Sequence, residues 1–302
     1  MTYNALMDTR NAPPPLTFFL PGISKCGTTT LSEMLARHPD LLLPTVREPW
    51  YLSKEHADRD WSEYWELFPR VADYAAVGDD STDYTSHLTI DMVSERISRY
   101  FPEARIVILV RDPITRIESS FREVHNSGPQ YGFDAPFELS EAMIEWPQLI
   151  EDTRYGVLIR RYLDRFEHVH ILFTEDLVAH PKESVSAVFQ FLGLDPARCP
   201  DYGVPQLNPG VGKLVDTRVL RRLRNHPLVG PRLARIPVPT QDRWLSRAGL
   251  RRRFTQKVDW DDKAQRLFRE RVQPDTVAFA EQMGRVPEAW NRSINPVFDD
   301  PA

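Results

Sequence analysis

Residues Leu16–Leu35 read LTFFLPGISKCGTTTLSEML. An apolar run with β-forming Thr17, Phe18 and Phe19 stops at Pro21-Gly22, and helical spacing takes over at Leu31, Met34 and Leu35. The order is therefore strand, loop, helix. The loop collects Gly22, Lys25, Cys26, Gly27 and three threonines, Thr28, Thr29 and Thr30. Backbone N–H groups, hydroxyls and one ammonium thus converge on a helix N-terminus, an arrangement that attracts phosphate or sulfate. It is not a Walker A loop, because Gly-x4-Gly-Lys-[Ser/Thr] puts the lysine after the second glycine and here Lys25 precedes Gly27. On these residues alone, a plain strand-to-helix turn is the competing reading.

A second run decides the rest of the architecture. Arg105–Arg111 (RIVILVR) is a near-continuous β-branched strand of the kind buried on both faces of a parallel sheet, and Asp112-Pro113 supplies an N-cap and a helix-starting proline. Arg111 then lies at the carboxyl end of that strand. On the helix that follows, Arg116 and Ser119 share a face, as do Ser119 and Arg122. An arginine at a strand end with a hydroxyl on the next helix makes a second anion cradle. A simple Arg111–Asp112 pair at the strand end explains the same residues more plainly.

Further signals complete the series. Trp61–Phe68 reads as a short aromatic helix, Val77–Tyr84 as a strand or extended loop rich in carboxylates, and Asp91–Tyr100 as a helix ended by Pro102. Tyr155–Phe166 forms an amphipathic helix, His168–Phe173 a third strand and Val185–Leu192 a helix closed by Gly193. These alternations predict an α/β fold: one three-layer, P-loop-like domain around a central parallel sheet, with a helical C-terminal cap. Residues 1–15, ending in Pro13-Pro14-Pro15, are expected to form an irregular, flexible arm, and 16–302 a single domain. Within it, a basic segment at about 208–257 is an appended cap. There Leu214–Arg224 has the spacing of a basic amphipathic helix, and Ala264–Met283 that of a helix pair broken near Pro274.

The 302 residues carry a net charge of −5, but the distribution is uneven. Lys213–Lys257 holds 13 Lys and Arg against only Asp216 and Asp242, so the segment is +11 and the remainder −16. That combination of cations with Leu228, Val229, Trp244 and Leu245 suits either an anionic membrane surface or a brace folded back over the acidic remainder. No stretch approaches the roughly 18 to 20 apolar residues of a membrane span, and residues 1–15 lack the pattern of a signal peptide. A cytoplasmic address is the expectation, with Cys26 and Cys199 as free thiols.

Together, PGISKCGTTTL and RIVILVRDPITRIESSF resemble the PAPS-dependent sulfotransferase family, in particular its carbohydrate O- and N-sulfotransferase branch. The likeness continues through EDLVAHPKESVSAVFQFLGL and FRERVQPDTVAFAEQMGRVPEAW and covers most of Phe18–Trp290, with Asn208–Lys257 least familiar. The resemblance implies 3′-phosphoadenosine 5′-phosphosulfate (PAPS) as sulfuryl donor and no metal. Lys25, Cys26, Gly27, Thr28, Thr29 and Thr30 would hold its 5′-phosphosulfate, Arg111 and Ser119 its 3′-phosphate, and Tyr155 would lie near the nucleotide. Glu48, in REPWYL, resembles the general base of the carbohydrate branch, with Lys25 stabilising the departing charge. Asp83 and His87 are rival bases, His87 because an imidazole is the side chain that ordinarily exchanges a proton near neutral pH. Many relatives of that branch read EKTPxY where this chain has Asp79-Asp80-Ser81-Thr82-Asp83-Tyr84, so the lysine of that motif is absent. The implied acceptor is a hydroxyl of a carbohydrate, glycolipid or small metabolite, and no nucleic-acid partner is expected. A P-loop-type nucleotide kinase and a non-catalytic module that binds anions or the product PAP are the competing classes. The misplaced lysine counts against the kinase.

Overall fold

The computed structural model describes residues 12–55, 60–131, 135–199, 201–203, 213–254, 257–296 and 298. Five strands form one all-parallel sheet: β1 (Phe18–Phe19), β2 (Leu41–Leu42), β3 (Ala76–Asp79), β4 (Arg105–Val110) and β5 (Val169–Phe173), in spatial order β2-β3-β1-β4-β5. This is the predicted α/β architecture. Phe18 stands between Gly78 and Arg105, and Phe19 between Asp79 and Ile106. Central strands with neighbours on both edges must be apolar on both faces, and Phe18, Phe19 and Ile106–Val110 are completely buried.

The helices α1 (Thr28–Leu35), α2 (Ile90–Tyr100), α3 (Pro113–Ser127), α4 (Tyr155–Leu163) and α5 (Pro181–Phe191) complete the flanking layers. Helix α1 packs with α5, and α2 with α4. The chain leaves β1 for β2 and β3 on one side, then crosses back to place β4 and β5 on the other. The carboxyl ends of β1 and β4 therefore border the crevice at which such sheets take ligands.

The C-terminal part departs from the sequence reading at one point. Leu214–Asp216 is not the first turn of a helix but strand β6, paired antiparallel with β7 (Arg251–Arg253), and helix α6 begins only at Arg218 and runs to Asn225. The Thr217 side chain accepts from Leu220 N at 3.3 Å and caps α6, which is the signal that the apolar spacing obscured. The helix pair after it is present as α7 (Asp262–Arg271) and α8 (Gln273–Met283). Phe268 and Val272 pack with Ile114, Ile117 and Phe121 of α3 in a second apolar cluster beside the main core. Asp275 of α8 accepts from the backbone N–H groups of Gly156 and Val157, both at 3.0 Å, and so caps α4 from another part of the chain.

Candidate active site

The loop between β1 and α1 is shaped by two residues at positive φ, Lys25 (71°) and Gly27 (87°). At Gly27, the N-cap of α1, any side chain would meet the steric cost of the left-handed region. Gly22 is required for a different reason: a Cβ there would come within 2.0 Å of Thr28 Cγ2. Gly27, the N-cap of α1, has no side chain with which to cap the helix.

Three successive carbonyls of the loop are held from below by side chains distant in sequence. Arg116 Nε donates to Ser24 O at 3.2 Å, Arg111 Nη1 to Lys25 O at 3.4 Å, and Thr174 Oγ1 to Cys26 O at 2.5 Å. Cys26 N donates to Ile23 O at 3.1 Å, so the loop is also closed by a turn of its own. Burial divides its residues. Cys26, Thr28 and Thr30 are buried, whereas Lys25, Gly27 and Thr29 are partly open. The first three can shape the loop, and the second three can touch what it holds.

Cys26 is fully buried and its thiol is pushed up to about 11, chiefly by burial. It is not a thiolate at neutral pH. Tyr155, also buried, donates its hydroxyl to Arg111 O at 2.8 Å and lies 3.8 Å from Cys26 Sγ. In this conformation Tyr155 supports the backbone of Arg111 from within the core. Burial keeps its phenol well above the ordinary range.

Asp112 caps α3 as the sequence predicts, accepting from Thr115 N at 2.8 Å. It does not form the hydrogen-bonded pair with Arg111 that the plainer reading required. Its own N–H goes to Glu175 Oε1 at 2.8 Å, and Ser293 Oγ donates to its second oxygen. Arg111 and Ser119 are both partly exposed, one at the end of β4 and the other on the helix that follows. Arg116 is 2% exposed, bonded to Ser24 O, Gln148 O, Leu149 O and Thr153 Oγ1, and is therefore a brace beneath the loop.

On the β3 side, Glu48 and Trp50 both have positive φ, 48° and 49°, on either side of Pro49. Two non-glycine residues in that region cost on the order of 1 to 3 kcal/mol each, a strain that clusters at functional sites. The turn is tied to the end of β3 through Glu48 N to Asp80 Oδ1 at 3.4 Å and Trp50 N to Ser81 Oγ at 3.0 Å. The Glu48 carboxylate accepts from Thr82 Oγ1 at 2.9 Å, and its other oxygen is 3.6 Å from Arg47 Nη2, too far for a hydrogen bond. A cleft of about 210 Å³ opens beside Thr82, lined also by Ser24, Trp50, Asp83, Ser86 and Asp152. His87 Nδ1 lies 2.7 Å from Asp152 Oδ1, and the same carboxylate approaches Arg116 at 3.7 Å.

Asp79, where the resemblance expects glutamate, is fully buried and accepts from Tyr64 OH (2.7 Å), Tyr84 OH (2.8 Å) and Ser81 N (2.9 Å). Burial raises its pKa to about 6 against those hydrogen bonds. It pins the turn that carries Thr82.

A family model described as a sulfotransferase domain matches residues 15–226. The chain belongs to the sulfotransferase family. It is similar to human heparan sulfate glucosamine 3-O-sulfotransferase 3B1, 28% identical over an alignment of 184 residues, with 57% of this chain and 45% of that protein covered. It is also similar to rat carbohydrate sulfotransferase 15, 24% identical over an alignment of 246 residues, with 59% of this chain and 44% of that one covered. The chain thus spans less than half the length of these curated relatives. The crystal structure of a sulfotransferase from Alicyclobacillus acidocaldarius superimposes with a TM-score of 0.62 at 20% identity, over 92% of this chain and 99% of that one, which speaks to the fold.

Several residues of the candidate site were not found from sequence. Thr174 and Glu175, in the first turn of the helix Thr174–Ala179 that follows β5, lock the loop and the end of β4. Trp290 Nε1 donates to Glu175 at 3.2 Å, which brings the C-terminal motif to the same turn. Glu123 of α3 receives both Lys25, at 2.8 Å, and Lys213, at 2.5 Å. Burial works to raise the Glu123 pKa, but the hydrogen bonds from Lys213 and Lys25 outweigh it and pull it down to about 2.

Proposed function

We propose that this protein is a PAPS-dependent sulfotransferase acting on a hydroxyl of a carbohydrate or similar small molecule. One observation carries the reading: the loop after β1 lies between the end of β4, with Arg111 and Ser119, and the end of β3, with Thr82 beside Glu48. A donor with phosphate groups at two separated positions fits two adjacent cradles, and the third strand end supplies a base. The partly open Lys25, Gly27 and Thr29 would hold the 5′-phosphosulfate, and Arg111 with Ser119 the 3′-phosphate.

Sulfuryl transfer then needs few steps. The acceptor hydroxyl enters the cleft between Ser24 and Thr82 and gives its proton to Glu48 as its oxygen bonds to sulfur. The bond from sulfur to the bridging oxygen breaks, and the electron pair leaves on PAP, where the Lys25 ammonium meets the developing charge. To do so, Lys25 moves from Glu123 to the donor.

The His87–Asp152 pair favours a second reading of the base, since a carboxylate 2.7 Å from Nδ1 orients the imidazole and leaves Nε2 to accept a proton. Glu48 is preferred because its strained turn, rather than His87, is tied to the strand end that borders the donor loop. The carbohydrate acceptor is supported by the names of the curated relatives. Incubation with ³⁵S-labelled PAPS and a panel of glycans that includes heparan sulfate should label an acceptor. Absence of donor-dependent label with every acceptor class, despite PAP binding, would favour the non-catalytic module.

A further inference from the structure

Arg47 is unused by the mechanism above, yet it stands between the donor loop and the proposed base. Its Nη2 donates to Thr29 Oγ1 at 3.0 Å, its single hydrogen bond among the described residues. Glu48 Oε1 is 3.6 Å from Nη2, Asp80 Oδ2 is 3.8 Å from Nε, and Glu33 Oε1 is 3.9 Å from Nη1. All three carboxylates attract the guanidinium without forming a hydrogen bond, so most of its five N–H donors are left for another acceptor. Its side chain is 41% exposed, open to a bound molecule.

Asp80 explains why the cation is there. Its side chain is 1% exposed, and Oδ2 is a buried atom with no hydrogen-bond partner among the described residues. A buried carboxylate of this kind requires a counter-charge. Arg47, from the strained turn next door, supplies it. At position 80, where the resemblance expects a lysine, the chain instead has an acid that draws in a cation from position 47. We propose that Arg47 is a second donor-side cation, held by Asp80, whose guanidinium contacts the sulfuryl oxygens of PAPS beside Glu48. This rests on the PAPS reading above. Arg47 neither gains nor loses a proton. The hydroxyl proton still passes to Glu48 and the electron pair of the broken bond to PAP, while the planar fork binds two oxygens of the group in transit.

PAP lacks the sulfuryl group, so calorimetry with PAPS and PAP tests the contact without an acceptor. Arg47→Gln is expected to weaken PAPS by about tenfold or more and PAP by less than about threefold, the range of one charge-assisted contact. The double variant Arg47→Gln/Asp80→Asn distinguishes contact from charge balance, because it removes the buried anion together with its counter-ion. It should keep the PAPS-selective loss. Recovery of PAPS affinity in the double variant would make Arg47 a counter-ion to Asp80 alone and overturn the proposal. So would an equal loss for both nucleotides, or no loss for either. Wild-type protein that binds neither PAP nor PAPS would instead remove the donor reading itself, and this proposal with it.

Discussion

Lys25 Nζ stands 2.8 Å from Glu123 Oε2, and Lys213, the residue before β6, shares the same oxygen at 2.5 Å. The ammonium proposed to meet the leaving group is thus held by a carboxylate in the resting protein, and the basic segment is fastened to the same point. Glu123→Gln should therefore tighten PAPS binding by about three- to tenfold, since it removes a like charge worth on the order of 1 kcal/mol at a partly exposed site. Titration calorimetry reads this directly. Weaker binding would show that Glu123 instead orients Lys25 for the donor.

Glu123 and Asp79 should give stability profiles of opposite sign. The Glu123 pKa is lowered from 4.5 to about 2 in the folded protein, so its contribution is present above the unfolded value and lost as pH falls through 2. The Asp79 pKa is raised from 3.8 to about 6, so its contribution is complete below 3.8 and lost as pH rises through 6. Melting temperatures recorded between pH 4 and 7 should decline less with rising pH in Asp79→Asn than in the wild type. An identical slope in the two proteins would contradict the assigned shift.

Glu48→Gln should reduce labelled transfer by roughly a hundredfold or more, the range of a positioned base, while leaving PAP affinity and melting temperature near the wild-type values. His87→Ala should retain most activity. The reverse pattern would move the proton to the His87–Asp152 pair.

The loop and the Arg111 strand were legible because each is a local signal. An apolar run, a glycine that must take positive φ and an Asp-Pro cap can be read within a dozen residues. Arg47, Glu123, Thr174 and Lys213 were not legible as parts of one site, because each acts on a residue far along the chain and no local spacing records that contact. Lys213 is brought to Glu123 by the docking of β6 on α3, where Leu214 N also donates to Asn126 Oδ1 at 2.9 Å. Strand β6 itself was misread because Leu214 and Val215 continue the apolar spacing of α6, while its partner β7 lies beyond two further helices.

The basic segment is expected to act as a brace. Lys213, Arg218, Arg224 and Arg251 each pair with a carboxylate, so much of its charge is already answered within the protein. Leu228 and Trp244 are nevertheless exposed, 64% and 68%. Co-sedimentation with vesicles containing anionic phosphatidylserine should show no binding at physiological salt. Salt-sensitive binding to these vesicles, but not to neutral ones, would favour a membrane contact instead.

The central claim is that two cradles at neighbouring strand ends read the two phosphate positions of one donor. Calorimetry comparing PAP with AMP, which lacks only the 3′-phosphate, tests it most directly. PAP should bind about 10- to 150-fold more tightly, corresponding to roughly 1.5 to 3 kcal/mol for charge-assisted contacts from Arg111 and Ser119. Equal affinity for PAP and AMP would contradict it.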